Sequence, residues 1–265
     1  MDKIKLPTSF RGIDGRVIDG KEAYNRVVNS PDAPNNQINP VIIPHIPNQD
    51  LQFIKDENLY QEIIKYLDKT FPDHSEVLND KISFGDNAMR GSNPYIAVAV
   101  DMFLKSISSE YRIARQTDLE TNLQMFNETY EDTGLVLRSL KEPNKIQAEY
   151  LYNQLQKRNH NIKFPIWFDI RGLTLDNRLN FNLTDGSRYK TAECLNWEMG
   201  THYLKTDDFG LPKSKDKDSG RQIWTIKDGL SVACLLKSLD LGSSDSSLSY
   251  SNDYGRVVLA KPRSG

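Results

Sequence analysis

The chain has 265 residues, of which 38% are hydrophobic and 26% charged, and this is the composition of an ordinary globular protein rather than a disordered or fibrous one. Its 34 Lys and Arg against 36 Asp and Glu leave a formal net charge of −2. This balance excludes a positive surplus that would attract a nucleic-acid backbone or an anionic membrane, so we expect no nucleic-acid partner. With only two cysteines, a disulfide framework is excluded, although a single bridge is not.

Neither a secretory signal peptide nor a membrane span is visible in the sequence. Asp2, Lys3 and Lys5 interrupt any apolar run at the N-terminus. The most apolar stretch, 96–104, contains Asp101 and is far shorter than the roughly 20 residues that a membrane helix needs. We therefore expect no membrane span, and the localisation stays open.

The first part of the chain, 1–108, is predicted to be a mostly helical region. Helices are predicted where apolar residues recur every three or four positions, and prolines favour extended backbone. The predicted elements are a proline-rich connector over 31–47, a helix over 56–71, a polar loop over 79–93 and an apolar helix over 95–107. After the apolar helix, the predicted elements change from helices and loops to a mixture of helices and short strands. We place a domain boundary near residue 108 and assign the region before it no particular role.

The second part, 109–265, is predicted to be an α+β domain. Thr117 and Glu120 have the spacing of a capping box, and Pro143 suits the first turn of a helix. Almost no apolar residue occurs in 206–221, which predicts a solvated loop. The predicted elements are a strand over 111–114, helices over 118–130 and 143–158, and short strands over 164–170, 179–183, 222–226, 230–235 and 256–260.

The common catalytic and cofactor motifs are absent from the sequence, so we expect a protein with no cofactor, no metal site and no enzymatic activity. No P-loop, dinucleotide-binding, zinc-protease, nucleophile-elbow or CxxC pattern occurs. Two observations keep other classes open. Glu142-Pro143-Asn144 matches the EPN triplet of calcium-dependent mannose-binding lectins, and Asp207, Asp208, Asp216 and Asp218 could supply oxygen ligands to Ca²⁺. Cys194 and Cys234 could form a reactive thiol pair.

The segment 238–254, SLDLGSSDSSLSYSNDY, has an unusual composition. It holds seven Ser, three Asp, three Leu and two Tyr, but no Lys, Glu, Gln, Met or Trp. Those missing types are the ones that cannot arise when the adenines of an AAC codon are replaced by any base. Leu239, Leu241 and Leu248 recur within the polar run, whereas a flexible Ser-rich linker would not need such apolar anchors.

The run from Gly229 to Pro262 resembles the C-terminal variable region of proteins diversified by diversity-generating retroelements, in an archaeal or phage-like member of the family. The resemblance rests on an opening Gly-Leu-Ser, a Leu-x-Leu step, a later Leu and a closing Ser-x-x-x-Gly-Arg-Val-Val; these are Gly229, Leu230, Ser231, Leu239, Leu241, Leu248, Ser251, Gly255, Arg256, Val257 and Val258. Val232 departs from the pattern, which often has Arg there. This difference leaves open which residue interacts with the loop at that point.

The resemblance implies a C-type lectin-like fold of the formylglycine-generating-enzyme-like subclass, with short antiparallel strands flanked by two helices and an early strand paired with the last. It also implies a variable region over about 232–254 and a ligand on a protein or cell surface. The anchors should be scaffold, with Gly255 in a tight turn and Arg256 bonded to loop carbonyls. The expected solvent-facing variable residues are Ser238, Asp240, Gly242, Ser243, Ser244, Asp245, Ser246, Ser247, Tyr250, Asn252, Asp253 and Tyr254.

Three alternatives to a diversified binding protein remain at this point. One is a calcium-dependent sugar-binding lectin, and another is an enzyme of the formylglycine-generating type that uses Cys194 and Cys234. A structural virion or tail component would carry the same segment in one fixed sequence.

Overall fold

The computed structural model describes residues 9–11, 17–19, 49–198 and 201–262, and it divides the chain into units 1–43 and 44–265. In the first unit, β1 (Ser9–Arg11) pairs with β2 (Val17–Asp19) in an antiparallel hairpin. The proline-rich connector predicted over 31–47 lies outside the described residues.

Two helices open the second unit, as the periodicity predicts. After β3 (Gln49–Phe53), α1 spans Glu57–Thr70, and the Asp56 carboxylate caps it by accepting the backbone N–H groups of Asn58 and Leu59. A second helix, α2 (Pro94–Ser106), is capped by Asn93. Between them, part of the predicted loop forms a hairpin of β4 (Ser83–Gly85) and β5 (Ala88–Arg90). No helix in the described part of the chain is long and apolar enough to cross a membrane.

The structure shows one core where the sequence predicts a domain boundary near residue 108. Ile63 of α1 and Val98 of α2 are fully buried in the same hydrophobic cluster as Leu135 and Phe168. Because the helices and the strands bury one another, residues 49–108 do not form a separate folding unit.

The rest of the second unit is built on a seven-stranded sheet, which makes the protein mixed α+β. The strands after α2 are β6 (Arg112–Ile113), β7 (Glu131–Leu137), β8 (Ile166–Asp169), β9 (Leu173–Leu175), β10 (Phe181–Leu183), β11 (Tyr189–Thr191), β12 (Thr201–Tyr203), β13 (Arg221–Thr225), β14 (Leu230–Leu235), β15 (Leu241–Ser243) and β16 (Val258–Pro262). The sheet order is β11-β8-β7-β14-β15-β13-β12, in which only β13 and β15 pair in parallel.

Two smaller sheets complete the unit. The last strand, β16, lies between β3 and β6 and is antiparallel to both. Leu259 pairs with Ile113, so the predicted pairing of an early strand with the last one is confirmed. The hairpin of β9 and β10 packs near α2 and near a later helix, α4 (Lys145–Gln156).

The two helices predicted after residue 108 are shorter than expected. The first is a five-residue helix, α3 (Gln116–Glu120), followed by a 3₁₀ turn at Leu123–Phe126. Thr117 lies inside α3 instead of capping it, and the Asp118 carboxylate accepts the backbone N–H of Arg115. The second helix, α4, spans Lys145–Gln156. Pro143 precedes α4 because Asn144 has left-handed backbone, with φ of 61°, immediately before the helix begins.

The segment predicted as a solvated loop, 206–221, is partly buried. Leu211 is only 2% exposed and packs in a cluster with Trp167. The Asp207 carboxylate organises the turn by accepting the backbone N–H groups of Phe209 and Leu211. A few apolar contacts and local hydrogen bonds therefore hold this polar stretch against the sheet.

Candidate functional site

A cleft of about 190 Å³ lies against one face of the sheet, beside the Ser-rich segment 238–254. Its floor is built from β7, β14 and β15. Because successive side chains of a strand point to opposite faces, alternate residues reach the cleft. The floor residues are Tyr130, Asp132, Val232, Cys234, Leu236 and Gly242, and Cys234 opposes both Asp132 and Gly242 in the strand register.

The rim of the cleft comes from the Ser-rich segment. Several predicted variable residues line it: Ser244, Asp245, Ser247, Tyr250 and Asn252. Others are exposed outside it, namely Ser238, Ser246, Asp253 and Tyr254. Asp240 is half-buried, and its carboxylate accepts the backbone N–H of Gln222 and the hydroxyl of Ser238. The structure thus brings part of the predicted set to one cavity.

Two predicted variable residues, Gly242 and Ser243, are buried, and this corrects the expectation that they face solvent. A Cβ atom added at Gly242 would lie 2.8 Å from the Cys234 Sγ atom and 2.9 Å from the Leu236 Cδ2 atom. Ser243 is 0% exposed, and its hydroxyl oxygen accepts a hydrogen bond from Arg138. Both residues are therefore structural, and substitution at either position disturbs packing.

Arg138 is a central residue of this region that sequence patterning does not single out. Its guanidinium donates from Nε to the Leu195 carbonyl at 2.9 Å, from Nη1 to the Ser231 Oγ at 2.8 Å and from Nη2 to the Ser243 Oγ at 2.6 Å. Burial lowers its pKa to about 10. No carboxylate of the described residues pairs with it. Arg138 thus connects β14, through Ser231, to β15, through Ser243. The signal in the sequence is an Arg that directly follows the apolar run 135–137.

Residues 79–93 clamp the far end of the Ser-rich segment. The Ser251 hydroxyl donates to the Lys81 carbonyl and accepts the backbone N–H of Ser92, both at 3.0 Å. The backbone N–H of Gly91 donates to the Gly255 carbonyl at 2.9 Å. This stretch of the chain, to which the sequence assigns no role, is therefore a packing partner of the loop.

Arg256 and Gly255 close the loop. Arg256 does so as expected, whereas the reason for a glycine at position 255 differs from the expected one. The Arg256 guanidinium donates to the carbonyls of Asp253 at 2.5 Å and Gly255 at 2.7 Å, which confirms its predicted contact with loop carbonyls. Gly255 does not have left-handed backbone, so a tight turn is not what requires glycine. An added Cβ would lie 2.6 Å from the Ser92 backbone nitrogen and 2.8 Å from the Tyr130 hydroxyl oxygen.

Gly255→Ala is therefore expected to destabilise the protein by about 2 kcal/mol, because the new methyl group meets backbone that cannot move freely. The matched control is Gly186→Ala, where the nearest heavy atom, the Thr184 Oγ1, is 3.7 Å from the added Cβ. That control should change stability by less than about 1 kcal/mol. Urea unfolding of both variants measures the difference, and equal stabilities would show that the loop yields at Gly255.

Two neighbouring carboxylates of β7 lie on opposite faces of the strand and both have raised pKa values. Burial raises the pKa of Asp132 to about 7, aided by the nearby Asp245 carboxylate, although Ser92 donates a hydrogen bond to it. Burial also raises the pKa of Glu131 to about 8. One Glu131 oxygen accepts from Thr129, and the other has no hydrogen-bond partner. Sequence patterning does not anticipate either group, because carboxylates rarely occur in buried strands.

Asn144 and Asp216, two of the residues that suggested a calcium-dependent lectin, have structural partners. The Asn144 amide donates to the carbonyls of Leu230 at 2.8 Å and Ser246 at 2.6 Å. The Asp216 carboxylate accepts the backbone N–H groups of Asp218 and Ser219. Within the described parts of the chain, no three His, Cys, Asp or Glu side chains form a group that could hold a metal ion.

The two cysteines are free thiols, Cys194 half-buried and Cys234 buried. Burial raises the pKa of Cys194, and it raises the pKa of Cys234 well above its usual value, where the nearby Asp132 carboxylate adds to the effect. A reactive cysteine needs a lowered pKa, so the surroundings of both thiols disfavour nucleophilic chemistry.

Comparison with known protein families, with characterised proteins and with solved structures finds no match for this chain.

Proposed function

We propose that the chain is a non-enzymatic ligand-binding protein whose exposed loop, 244–254, is a variable binding face diversified by adenine-directed mutagenesis from a retroelement. The observation that carries the proposal is that the Ser-rich segment combines buried apolar anchors with exposed polar and aromatic residues. Leu241 and Leu248 are buried, whereas Ser244, Ser246, Ser247 and Tyr250 between and after them are exposed. Surface positions of this kind change with little effect on stability.

The chemistry of the exposed positions supports binding by surface complementarity. Tyr250 and Tyr254 are each 51% exposed, and Ser, Asn and Asp surround them. Tyrosine offers a large contact area for few rotatable bonds, and small polar residues adapt their hydrogen bonds, as in antibody loops. The ligand would be a protein or another molecule on a cell or particle surface. The proposed variable set is the predicted one without Gly242 and Ser243.

A C-type lectin-like scaffold is part of the proposal. Its support is the pairing of β6 with the final strand β16 and the position of α4 beside the sheet, both expected from the family. The loop is attached through Arg256 and Ser251 to backbone atoms of its neighbours, so side chains elsewhere in it are free to vary.

The test is to sequence the DNA that encodes residues 229–262, with several kilobases downstream, from many members of the source population. We expect a near-copy of the segment that differs only at its adenines, beside a reverse transcriptase gene. Differences among individuals should concentrate at the codons of Ser244, Ser246, Ser247, Tyr250 and Asp253 and spare those of Gly242 and Ser243. One invariant sequence without a near-copy would contradict the proposal and favour a structural component of fixed sequence.

A further inference from the structure

The floor of the cleft contains none of the residues that the proposed function makes variable. Asp132 belongs to β7 and Tyr130 directly precedes it, whereas Val232 and Cys234 belong to β14. A retroelement that rewrites only the proposed variable set would leave these side chains in place. Every variant of the protein would therefore present the same floor beneath a different rim.

The cleft is lined by two carboxylates and one ammonium group. Asp132 lies on the floor and Asp245 on the rim. Among the described residues, neither has an ion-pair partner: Asp132 accepts a hydrogen bond from Ser92, and Asp245 accepts the backbone N–H of Ser247. Lys237 is the basic residue in the lining, and its ammonium lies 3.2 Å from the ring centroid of Tyr254 instead. When Asp132 is ionised, two carboxylates face one ammonium group, so the lining carries a net charge of −1 and favours a cation.

The remaining walls favour a cation on an apolar stem. Val232, Cys234 and Leu236 provide an apolar surface, and Tyr130 and Tyr250 add aromatic side chains to the lining. Arginine and lysine side chains place methylene groups on apolar surface and keep a charged group at the tip, and aromatic faces attract that group. A volume of about 190 Å³ is large enough for one such side chain.

Resting on the proposed function, we propose that the cleft receives an arginine or lysine side chain of a protein ligand, with Asp132 and, in this variant, Asp245 as its counter-charges. The rim, to which the variable residue Asp245 belongs, then determines which protein is bound. Asp132 on the floor is common to all variants and sets the class of side chain that enters.

Binding of such a cation should strengthen between pH 6 and pH 8. The pKa of Asp132 is raised to about 7, so its carboxylate is mostly protonated at the lower pH and mostly ionised at the higher one. The charged and titratable groups around it are Asp245, Cys234, Tyr130, Glu131, Lys237 and Arg256. We expect the dissociation constant of a cationic probe to fall by about fivefold to tenfold across this interval.

The experiment uses two probes of the same shape on the full chain labelled with ¹⁵N. The first is N-acetyl-arginine methylamide, and the second is the citrulline analogue, which has no charge. At pH 8 the arginine probe should shift the amide resonances of residues 132, 234 and 245 in a saturable titration. Its dissociation constant should be at least about fivefold lower than that of the citrulline probe, because only the cation gains the two carboxylates.

Variants separate the carboxylates of the cleft from surface charge in general. Asp132→Asn should weaken the arginine probe by about tenfold and abolish the pH dependence, and Asp245→Asn should weaken it by about threefold. Asp208→Asn is the control, since Asp208 is exposed and does not line the cleft. Removing a carboxylate with a raised pKa does not threaten folding, so Asp132→Asn is expected to stay folded.

Three results would overturn the inference. They are equal affinities for the two probes, resonance shifts located away from the cleft, and unchanged binding by both Asp132→Asn and Asp245→Asn. Failure here is separable from failure of the proposed function. If the loop codons vary in the population but the arginine probe does not bind, the variable face stands and the preference for a cation is refuted.

Discussion

Replacement of Arg138 by methionine is expected to lower the free energy of unfolding by about 2–3 kcal/mol. Two effects oppose each other. The variant loses three charge-assisted hydrogen bonds, to Leu195, Ser231 and Ser243, which together are worth about 5–6 kcal/mol. It also removes a buried cation, and the lowering of the Arg138 pKa from 12.5 to about 10 places the desolvation penalty at about 3 kcal/mol. The loss of the hydrogen bonds therefore outweighs the relief of desolvation.

A lysine variant distinguishes hydrogen-bond geometry from charge at this position. An ammonium keeps the positive charge but cannot reach three acceptors that are spread around a planar guanidinium. We expect Arg138→Lys to be at least as destabilised as Arg138→Met. Arg178→Met is the control, because Arg178 is exposed, and it should change stability by less than about 0.5 kcal/mol. Urea unfolding measures all three, and full stability of the lysine variant would refute the geometric argument.

The Arg138 contacts also connect stability to the proposed binding face. Ser243 ends β15, and the exposed loop begins at the next residue, so Arg138 fixes the point from which the loop departs. A loop that varies in sequence needs such a fixed origin if its rim residues are to keep their positions. Loss of Arg138 should thus weaken ligand binding even at temperatures where the protein remains folded.

Elements defined by local signals can be predicted from the sequence. The helix α1 follows from its apolar periodicity, the Asp56 cap and the Pro72 stop, and the structure places it at Glu57–Thr70. The buried strand β14, a short apolar run, is likewise predicted and found at 230–235. In each case the predictive signal, an apolar periodicity or an apolar run, lies within the element's own sequence, although β14 pairs with the distant strand β7.

The strand β7 cannot be predicted from local signals because long-range packing determines it. It starts with two carboxylates and contains Gly134, and these are features that usually disfavour a strand. Gly134 is needed because an added Cβ would lie 2.5 Å from both the Phe168 carbonyl oxygen and the Trp167 Nε1 atom. Only the assembled sheet, with β8 and β14 on either side, shows why these residues form a central strand.

The rim of the candidate site can be predicted from the sequence, but its floor cannot. Compositional bias marks the exposed positions of the Ser-rich segment, and buried Leu248 is an anchor as expected. Asp132, Tyr130 and the clamp at residues 79–93 come from parts of the chain that are distant in sequence. Compositional bias wrongly predicts that Gly242 and Ser243 are exposed, because small residues suit a tightly packed strand as well as an exposed loop.

Glu131 is expected to make the protein less stable as the pH rises from 5 to 9. The Glu131 pKa is raised from an ordinary value of 4.5 to about 8, chiefly by burial, with a smaller contribution from the Asp132 carboxylate. Between those two values the folded chain holds a proton that the unfolded chain has released. The free energy of unfolding therefore falls as pH rises, by about 1.4 kcal/mol per pH unit, and the loss is complete above pH 8.

The variant Glu131→Gln removes this pH-dependent loss and should be more stable than the wild type at pH 8.5 by about 3 kcal/mol. The linkage effect of about 3.5 pH units is about 5 kcal/mol, of which the unpartnered amide and the incomplete ionisation of Glu131 near its pKa together remove about 2 kcal/mol. Asp132 and Asp169, whose pKa values burial also raises, are present in both proteins, so the difference between them isolates Glu131. Urea unfolding at intervals from pH 4.5 to pH 8.5 measures it. Glu128→Gln, at an exposed position, should follow the wild type throughout. Parallel curves for the wild type and Glu131→Gln would mean that the buried carboxylate ionises without cost, and the assignment of a raised pKa at the start of β7 would have to be abandoned.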